Sequence, residues 1–182
     1  MKKFNCIEAS LKLLFLLLVI GLITKPEPLL AANPTAKPSV SKSRNTLSKP
    51  AKNLKRLEIK LSTRKVTLYQ GKKPIKSYRV AVGRRGWETP TGKFKVKNMV
   101  RNPTWISPFT GAVIPGGTSK NPLGQYWIGF WTNGKNWIGF HGTPSTASIG
   151  KAASHGCIRM YNRDVQELFK QVKIGTPVTV VK

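Results

Sequence analysis

The sequence is short of acid. Six Asp and Glu stand against 32 Lys and Arg, a formal net charge of +26 in 182 residues. A chain this unbalanced cannot neutralise itself, and its complement is a polyanion: nucleic acid, anionic lipid or anionic wall polymer. Histidine and cysteine are scarce as well, with two residues each. Two cysteines exclude a disulfide-dense scaffold. The apolar run Leu13 to Ile23 has 11 residues, short of the roughly 18 or more that a spanning helix needs. There is no Gly-x-Ser-x-Gly elbow, which removes the hydrolase-type serine nucleophile.

The N-terminus narrows the choice of partner. Lys2 and Lys3 precede the apolar run, Lys12 borders it, and a small-residue site follows at Ala31-Ala32. Residues 1–32 are therefore expected to be a signal peptide or, uncleaved, an N-terminal anchor. Leu30 and the run Lys25-Pro26-Glu27-Pro28 make the cleavage site imperfect, and a buried core helix is the alternative. Export to the cell envelope, periplasm or cell wall, excludes nucleic acid as a partner. Cys6 would leave with a cleaved signal, so the mature chain carries Cys157 alone, as a reactive thiol or an inert buried one. Residues 33–55 form a basic Pro/Ser-rich linker, with Pro34, Pro38 and Pro50 among Lys37, Lys42, Arg44, Lys49 and Lys52. With little to bury, it is expected to stay disordered. It is either a tether to anionic wall polymer or a membrane surface, or a plain spacer.

From residue 56 the pattern has period two. Leu57, Ile59 and Leu61 alternate with Glu58 and Lys60; Val66 and Leu68 lead to a Gln70-Gly71 turn; Ile75 to Val82 and Gly92 to Val96 read as further strands. Trp127-Ile128-Gly129-Phe130 is echoed by Trp137-Ile138-Gly139-Phe140 around Asn133-Gly134, which predicts one hairpin leading into His141. Val165, Leu168, Phe169 and Val172 predict one helix, with Asn162 or Asp164 as its cap, ended by Gly175-Thr176-Pro177 before a last strand, Val178 to Val181. Residues 56–182 thus read as one mainly β domain with a minor helical part. Trp127, Trp131 and Trp137 read as packing residues, while Trp87 and Trp105 are candidates to line a cleft.

Both histidines lie close in sequence to Cys157. His141 opens His141-Gly142-Thr143-Pro144, and His155 lies in Ser154-His155-Gly156-Cys157-Ile158-Arg159-Met160. A thiol is only a few per cent ionised at neutral pH, and an adjacent imidazole activates it. Backbone N–H groups of the Gly156-Cys157 turn are candidate oxyanion donors. The same three residues as zinc ligands are the weaker reading: the spacing is not that of a zinc site and carboxylates are few. Neither metal nor organic cofactor is expected.

The stretch Ser154 to Met160, with His141-Gly142-Thr143-Pro144 upstream, resembles the L,D-transpeptidase catalytic domain family (YkuD-like). So do Val82-Gly83, Glu88-Thr89-Pro90-Thr91-Gly92, Asn121-Pro122-Leu123-Gly124, Ser148-Ile149-Gly150 and Asp164. The resemblance implies an L,D-transpeptidase-like β-sandwich over residues 56–182 and a cysteine acyltransferase acting on peptidoglycan stem peptides. It implies that Cys157 is the nucleophile, with an exposed sulfur. His141 would be the base, steadied by a carbonyl near Gly142. Ser154, His155, Gly156 and Arg159 would serve the substrate and oxyanion side, Arg159 as a carboxylate anchor unless Asp164 pairs with it. Water as acceptor would make the same site an L,D-carboxypeptidase. A non-catalytic envelope-binding protein is the reading from another class.

Overall fold

A computed structural model describes residues 54–107 and 109–182. The expected signal segment and the linker up to residue 53 lie outside the described residues. The chain runs through β1 (Lys55–Lys60), β2 (Lys65–Gln70), β3 (Lys73–Arg79), β4 (Val82–Gly83) and β5 (Gly92–Lys95). It continues with β6 (Asn98–Arg101), β7 (Trp105–Ile106), β8 (Val113–Ile114), β9 (Tyr126–Thr132) and β10 (Trp137–His141). A 3-10 turn, Thr146–Ser148, precedes β11 (Ala152–Ser154) and β12 (Ile158–Arg159), and α1 (Asn162–Gln171) and β13 (Pro177–Val181) close the domain.

Two sheets carry the architecture. The first has the order β3-β2-β1-β13-β5, the second β12-β10-β9-β6. The last strand returns to pair parallel with the first, Leu57 beside Val178 and Ile59 beside Val180. Alternation puts Leu57, Ile59, Val66, Leu68, Val178 and Val180 on one buried face. That face meets the second sheet through aromatic contacts: Phe94 lies 5.8 Å from Phe130, and Phe130 lies 5.1 Å from Phe140 between ring centroids. Helix α1 buries Val165 and Leu168 and sets Phe169 5.1 Å from Tyr126 of β9. The fold is mainly β with a minor helical part, as the alternation predicts, and its sheets form the sandwich that the resemblance implies.

Several elements differ from the expectation. The strand predicted over Ile75 to Val82 is divided, because the chain leaves the first sheet after Arg79 and Ala81 bridges to Arg159 instead. Neither Asn162 nor Asp164 caps the helix: Tyr161 is the N-cap and makes no side-chain capping bond, and Asp164 sits in the first turn, where a negative charge suits the helix dipole. Strands β4, β7, β8 and β12 have two residues each and β11 has three, too few for any periodicity to show.

The charge excess belongs to this domain as well as to the N-terminal segment. Residues 54–182 hold 23 of the basic residues and four of the acidic ones. Among the described residues the ion pairs are Arg56–Glu58, Lys76–Glu167 and Arg163–Asp164. On the outer face of the first sheet Lys60 stands opposite Lys65, and Lys65 opposite Arg79, like-charge neighbours that cost stability. No described helix is long and apolar enough to cross a membrane.

Candidate active site

The β9–β10 hairpin delivers His141. Its connection is held by Asn133 Oδ1, which accepts from the N–H groups of Lys135 (3.2 Å) and Asn136 (2.8 Å). The Trp-Ile-Gly-Phe echo has a packing cause. Gly129 and Gly139 stand opposite each other, and the buried Trp127 indole lies across them. A Cβ on Gly139 would fall 2.8 Å from that ring and 2.5 Å from the Ile128 carbonyl oxygen. Asn98 Oδ1 accepts the indole N–H at 2.9 Å. Trp127 in turn stacks on His141, with ring centroids 6.1 Å apart.

His141 is 4% exposed. Its Nδ1 lies 2.6 Å from the carbonyl oxygen of Gly142. A carbonyl only accepts, so Nδ1 carries the proton and Nε2 presents its lone pair. Burial lowers the pKa of the imidazole to about 4, opposed by the Gly142 carbonyl and assisted by the Arg159 charge. The ring is therefore neutral at neutral pH. Gly142 admits no side chain: a Cβ there would fall 2.0 Å from Asn162 Oδ1 at the start of α1.

The Ser154–Cys157 segment is braced from both sides. Strand β12 runs parallel to β10 and pairs Arg159 with His141, which sets Cys157, two residues earlier, alongside that strand. Ser154 Oγ donates to the Cys157 carbonyl at 2.5 Å and accepts the Gly156 N–H at 3.1 Å. The Gly156 N–H expected as an oxyanion donor is thus engaged, and could serve only if that bond broke. Gly156 has φ +110, open to glycine and strained for other residues. Cys157 is 0% exposed, against the expected exposed sulfur, and its Sγ lies 3.7 Å from the Trp137 carbonyl oxygen.

Thr89 is the residue whose role sequence reasoning missed. It is 3% exposed, donates to the Gly156 carbonyl at 2.8 Å and accepts the Gly83 N–H at 3.1 Å. The Thr89-Pro90-Thr91-Gly92 segment was visible as part of the resemblance, but nothing in it announces a bond across 67 positions. Asn121 is a second: 1% exposed, it donates to the carbonyls of Pro103 (2.8 Å) and Pro115 (3.2 Å) and accepts the Leu123 N–H at 2.9 Å.

His155 lies on the other side of the turn from the base. Arg84 Nη2 is 2.9 Å from its Nε2; a guanidinium only donates, so Nε2 accepts and Nδ1 carries the proton. Trp87 meets the ring edge-on at 4.6 Å, and Phe109 at 5.8 Å. Partial burial and the charges of Arg84 and Arg159 lower the pKa of this ring too. Arg159 is half-buried, and Asp164 pairs with Arg163 at 3.5 Å rather than with it. A cavity of about 530 Å3, lined among others by Trp87, Pro90, Trp131, Ile138 and His155, opens beside the turn. Trp87 thus lines a cleft as expected, and Trp131 joins it; Trp105 is absent from its lining. Among the described residues no group of three His, Cys, Asp or Glu could hold a metal ion.

A deep histidine, a braced cysteine turn and a second histidine among cations, on a sandwich of sheets, are the features that comparison with known proteins meets. The family model for the L,D-transpeptidase catalytic domain (YkuD) matches residues 54–180. YkuD of Bacillus subtilis, named as an L,D-transpeptidase, is 40% identical over 124 residues, 68% of this chain and 64% of that protein. YcfS of Escherichia coli, likewise named, is 31% identical over 174 residues, 84% of this chain and 54% of that protein. Among solved structures, Enterococcus faecium L,D-transpeptidase in a cysteine-to-serine mutant form aligns with TM-score 0.57 and 25% identity, covering 70% of this chain and 49% of that one. An L,D-transpeptidase from Mycobacterium tuberculosis shares the fold, with TM-score 0.58 at 20% identity over 71% of this chain and 58% of that one. The chain belongs to the L,D-transpeptidase catalytic domain family. It spans 64% or less of the length of these relatives.

Proposed function

We propose that the protein is an exported L,D-transpeptidase that uses Cys157 to join peptidoglycan stem peptides. The carbonyl under attack is that of the L-centre of the diamino acid at position three of a tetrapeptide stem. Nε2 of His141 takes the thiol proton as the C–S bond forms. The tetrahedral adduct then collapses: the C–N bond to the terminal D-alanine breaks, and the proton on His141 passes to the departing amine. The thioester is next attacked by an amine of a second stem, His141 takes that proton, and the 3→3 cross-link leaves as the thiol reforms. Arg159 anchors a substrate carboxylate, since its fork matches that group.

The observation that carries this reading is the His141–Gly142 contact. It fixes which nitrogen carries the proton, and burial keeps the ring neutral, so the histidine is set up to take a proton as a general base. Export and envelope localisation belong to the same proposal, and a basic tether or face for anionic wall polymer would keep the enzyme at its substrate; retention of Met1 in a soluble cytoplasmic fraction would refute export.

The test is mass spectrometry of a disaccharide-tetrapeptide incubated with the purified protein and with its Cys157→Ser variant. Stem dimer with release of D-alanine is expected from the wild type, and a loss of about 1,000-fold or more in the variant. Tripeptide without dimer would assign the L,D-carboxypeptidase activity instead. Equal rates in the two proteins would overturn the nucleophile.

A further inference from the structure

The cations around His155 are not explained by folding. Arg84 and Arg159 both act on that ring, and Arg84 also opposes the charge of Arg159. Among the described residues no carboxylate pairs with either. Glu58, Glu167 and Asp164 are engaged by Arg56, Lys76 and Arg163, and Glu88 accepts the Gly86 N–H at 2.7 Å. Arg159 is half-buried and Arg84 is exposed beside it, so two like charges oppose each other with no carboxylate among the described residues bonded to either. A ligand carboxylate would offset that repulsion.

Arg84 is also held ready. Its N–H donates to the Ser154 carbonyl at 3.0 Å, its own carbonyl accepts the Trp87 N–H at 2.8 Å, and its guanidinium lies 5.8 Å from the Trp87 ring centre. His155 is wedged by Trp87 and Phe109, with its N–H on Nδ1. His155 and Arg159 each lie two residues from Cys157, and two residues of extended chain span at most about 7 Å; the Arg84 bond to His155 adds the second fork to that neighbourhood.

We infer that Arg84, Arg159 and His155 form a binding site for a carboxylate of the acyl-donor peptide, and that Arg84 selects donors that carry it. The inference rests on the transpeptidase reading for its substrate class. Two carboxylates of a donor stem fit: the one on the leaving D-amino acid, and the one on the side chain of the diamino acid. Planar, bidentate anions suit a guanidinium better than they suit an ammonium, which separates Arg84 from the many lysines of the surface.

Three donor peptides test it: the free acid, the form with a C-terminal carboxamide, and the form amidated on the diamino acid side chain. For the wild type, one of the two amidations should lower kcat/KM by about 10-fold or more, mostly through KM; which one does so names the carboxylate. In Arg84→Gln the free acid should fall by a similar factor and the acid-to-amide ratio approach one. Arg85→Gln, an exposed neighbour with the same charge change, should leave the ratio as it is. Indifference of the wild type to both amidations, or an unchanged ratio in Arg84→Gln, would overturn the site. The same peptides are titrated calorimetrically against Cys157→Ala and its Arg84→Gln double variant. A wild type that turns over no donor would then count against the transpeptidase reading, while the Kd ratios still decide the carboxylate site.

Discussion

The two sheets of this domain are made differently. The first is built from alternation: its buried face is Leu57, Ile59, Val66, Leu68, Val178 and Val180, and its polar groups sit in the backbone ladder or face solvent. The second holds glycine against glycine, an indole tied to Asn98 and the buried His141, and the loops and the short β11 beside it bury Thr89, Asn121 and Ser154. Apolar burial tolerates approximate fit, since its energy follows area. A buried polar network does not, because each unpartnered group costs its full desolvation. The first sheet supplies stability cheaply, and the second spends some of it to fix the position of a few atoms.

That contrast can be broken at its apolar side first. Leu68→Ala removes a fully buried side chain from the first sheet and should cost about 2–5 kcal/mol, read as a drop in urea midpoint. Acylation per folded molecule should stay near the wild-type value at temperatures where the variant is folded. A selective loss of acylation in protein that remains folded would mean that the two sheets are not separable in this way.

Acid acts on the other side. His141 has a folded pKa of about 4, while an unfolded histidine titrates near 6.5. Between these values the unfolded chain binds more protons, so the stability present above about pH 6.5 is lost as pH falls and is gone below about pH 4. The loss is worth about 3 kcal/mol. With four carboxylates in residues 54–182, the background from acid groups is small. Urea midpoints between pH 7 and 4 should show the decline, and His141→Asn should remove most of it, leaving the part that the lowered His155 contributes; a decline that persists in full in that variant would move the cause elsewhere. The acid limb of kcat/KM should likewise fall near pH 4 and not at the ordinary imidazole value.

The same contrast decides what the sequence alone could tell. The first sheet was legible because period-two alternation is a local signal: Leu57, Ile59, Val66 and Leu68 announce their face. The hairpin was legible from Asn133-Gly134, and the helix from Val165, Leu168 and Phe169. At the site, Cys157, His141 and His155 stood out because few other residues carry that chemistry and their motif resembles one family. What stayed hidden is contact between distant positions. Thr89 bonded to Gly156, Asn162 beside the bare Gly142 and Arg84 on His155 follow no period, and β4, β7, β8, β11 and β12 are too short to have one.

The smallest effect on stability is the most informative about the site. Thr89→Val keeps the shape of the side chain and deletes both bonds of its hydroxyl, to Gly156 and from Gly83. Leaving those backbone groups unpaired should cost about 1–3 kcal/mol, less than Leu68→Ala. Its effect on acylation should be the larger one, at least about 10-fold, because the Gly156 carbonyl belongs to the turn that presents Cys157 and a small misplacement there is costly. Thr89→Ser retains the hydroxyl and should recover most of the rate while losing only the packing of one methyl. If Ser at position 89 slows acylation while Val does not, the methyl matters and the hydroxyl does not, and the bracing assigned to this residue is wrong. If Val lowers the urea midpoint without touching acylation, the turn is held by Ser154 alone, and the second sheet needs less polar bracing than its buried side chains suggest.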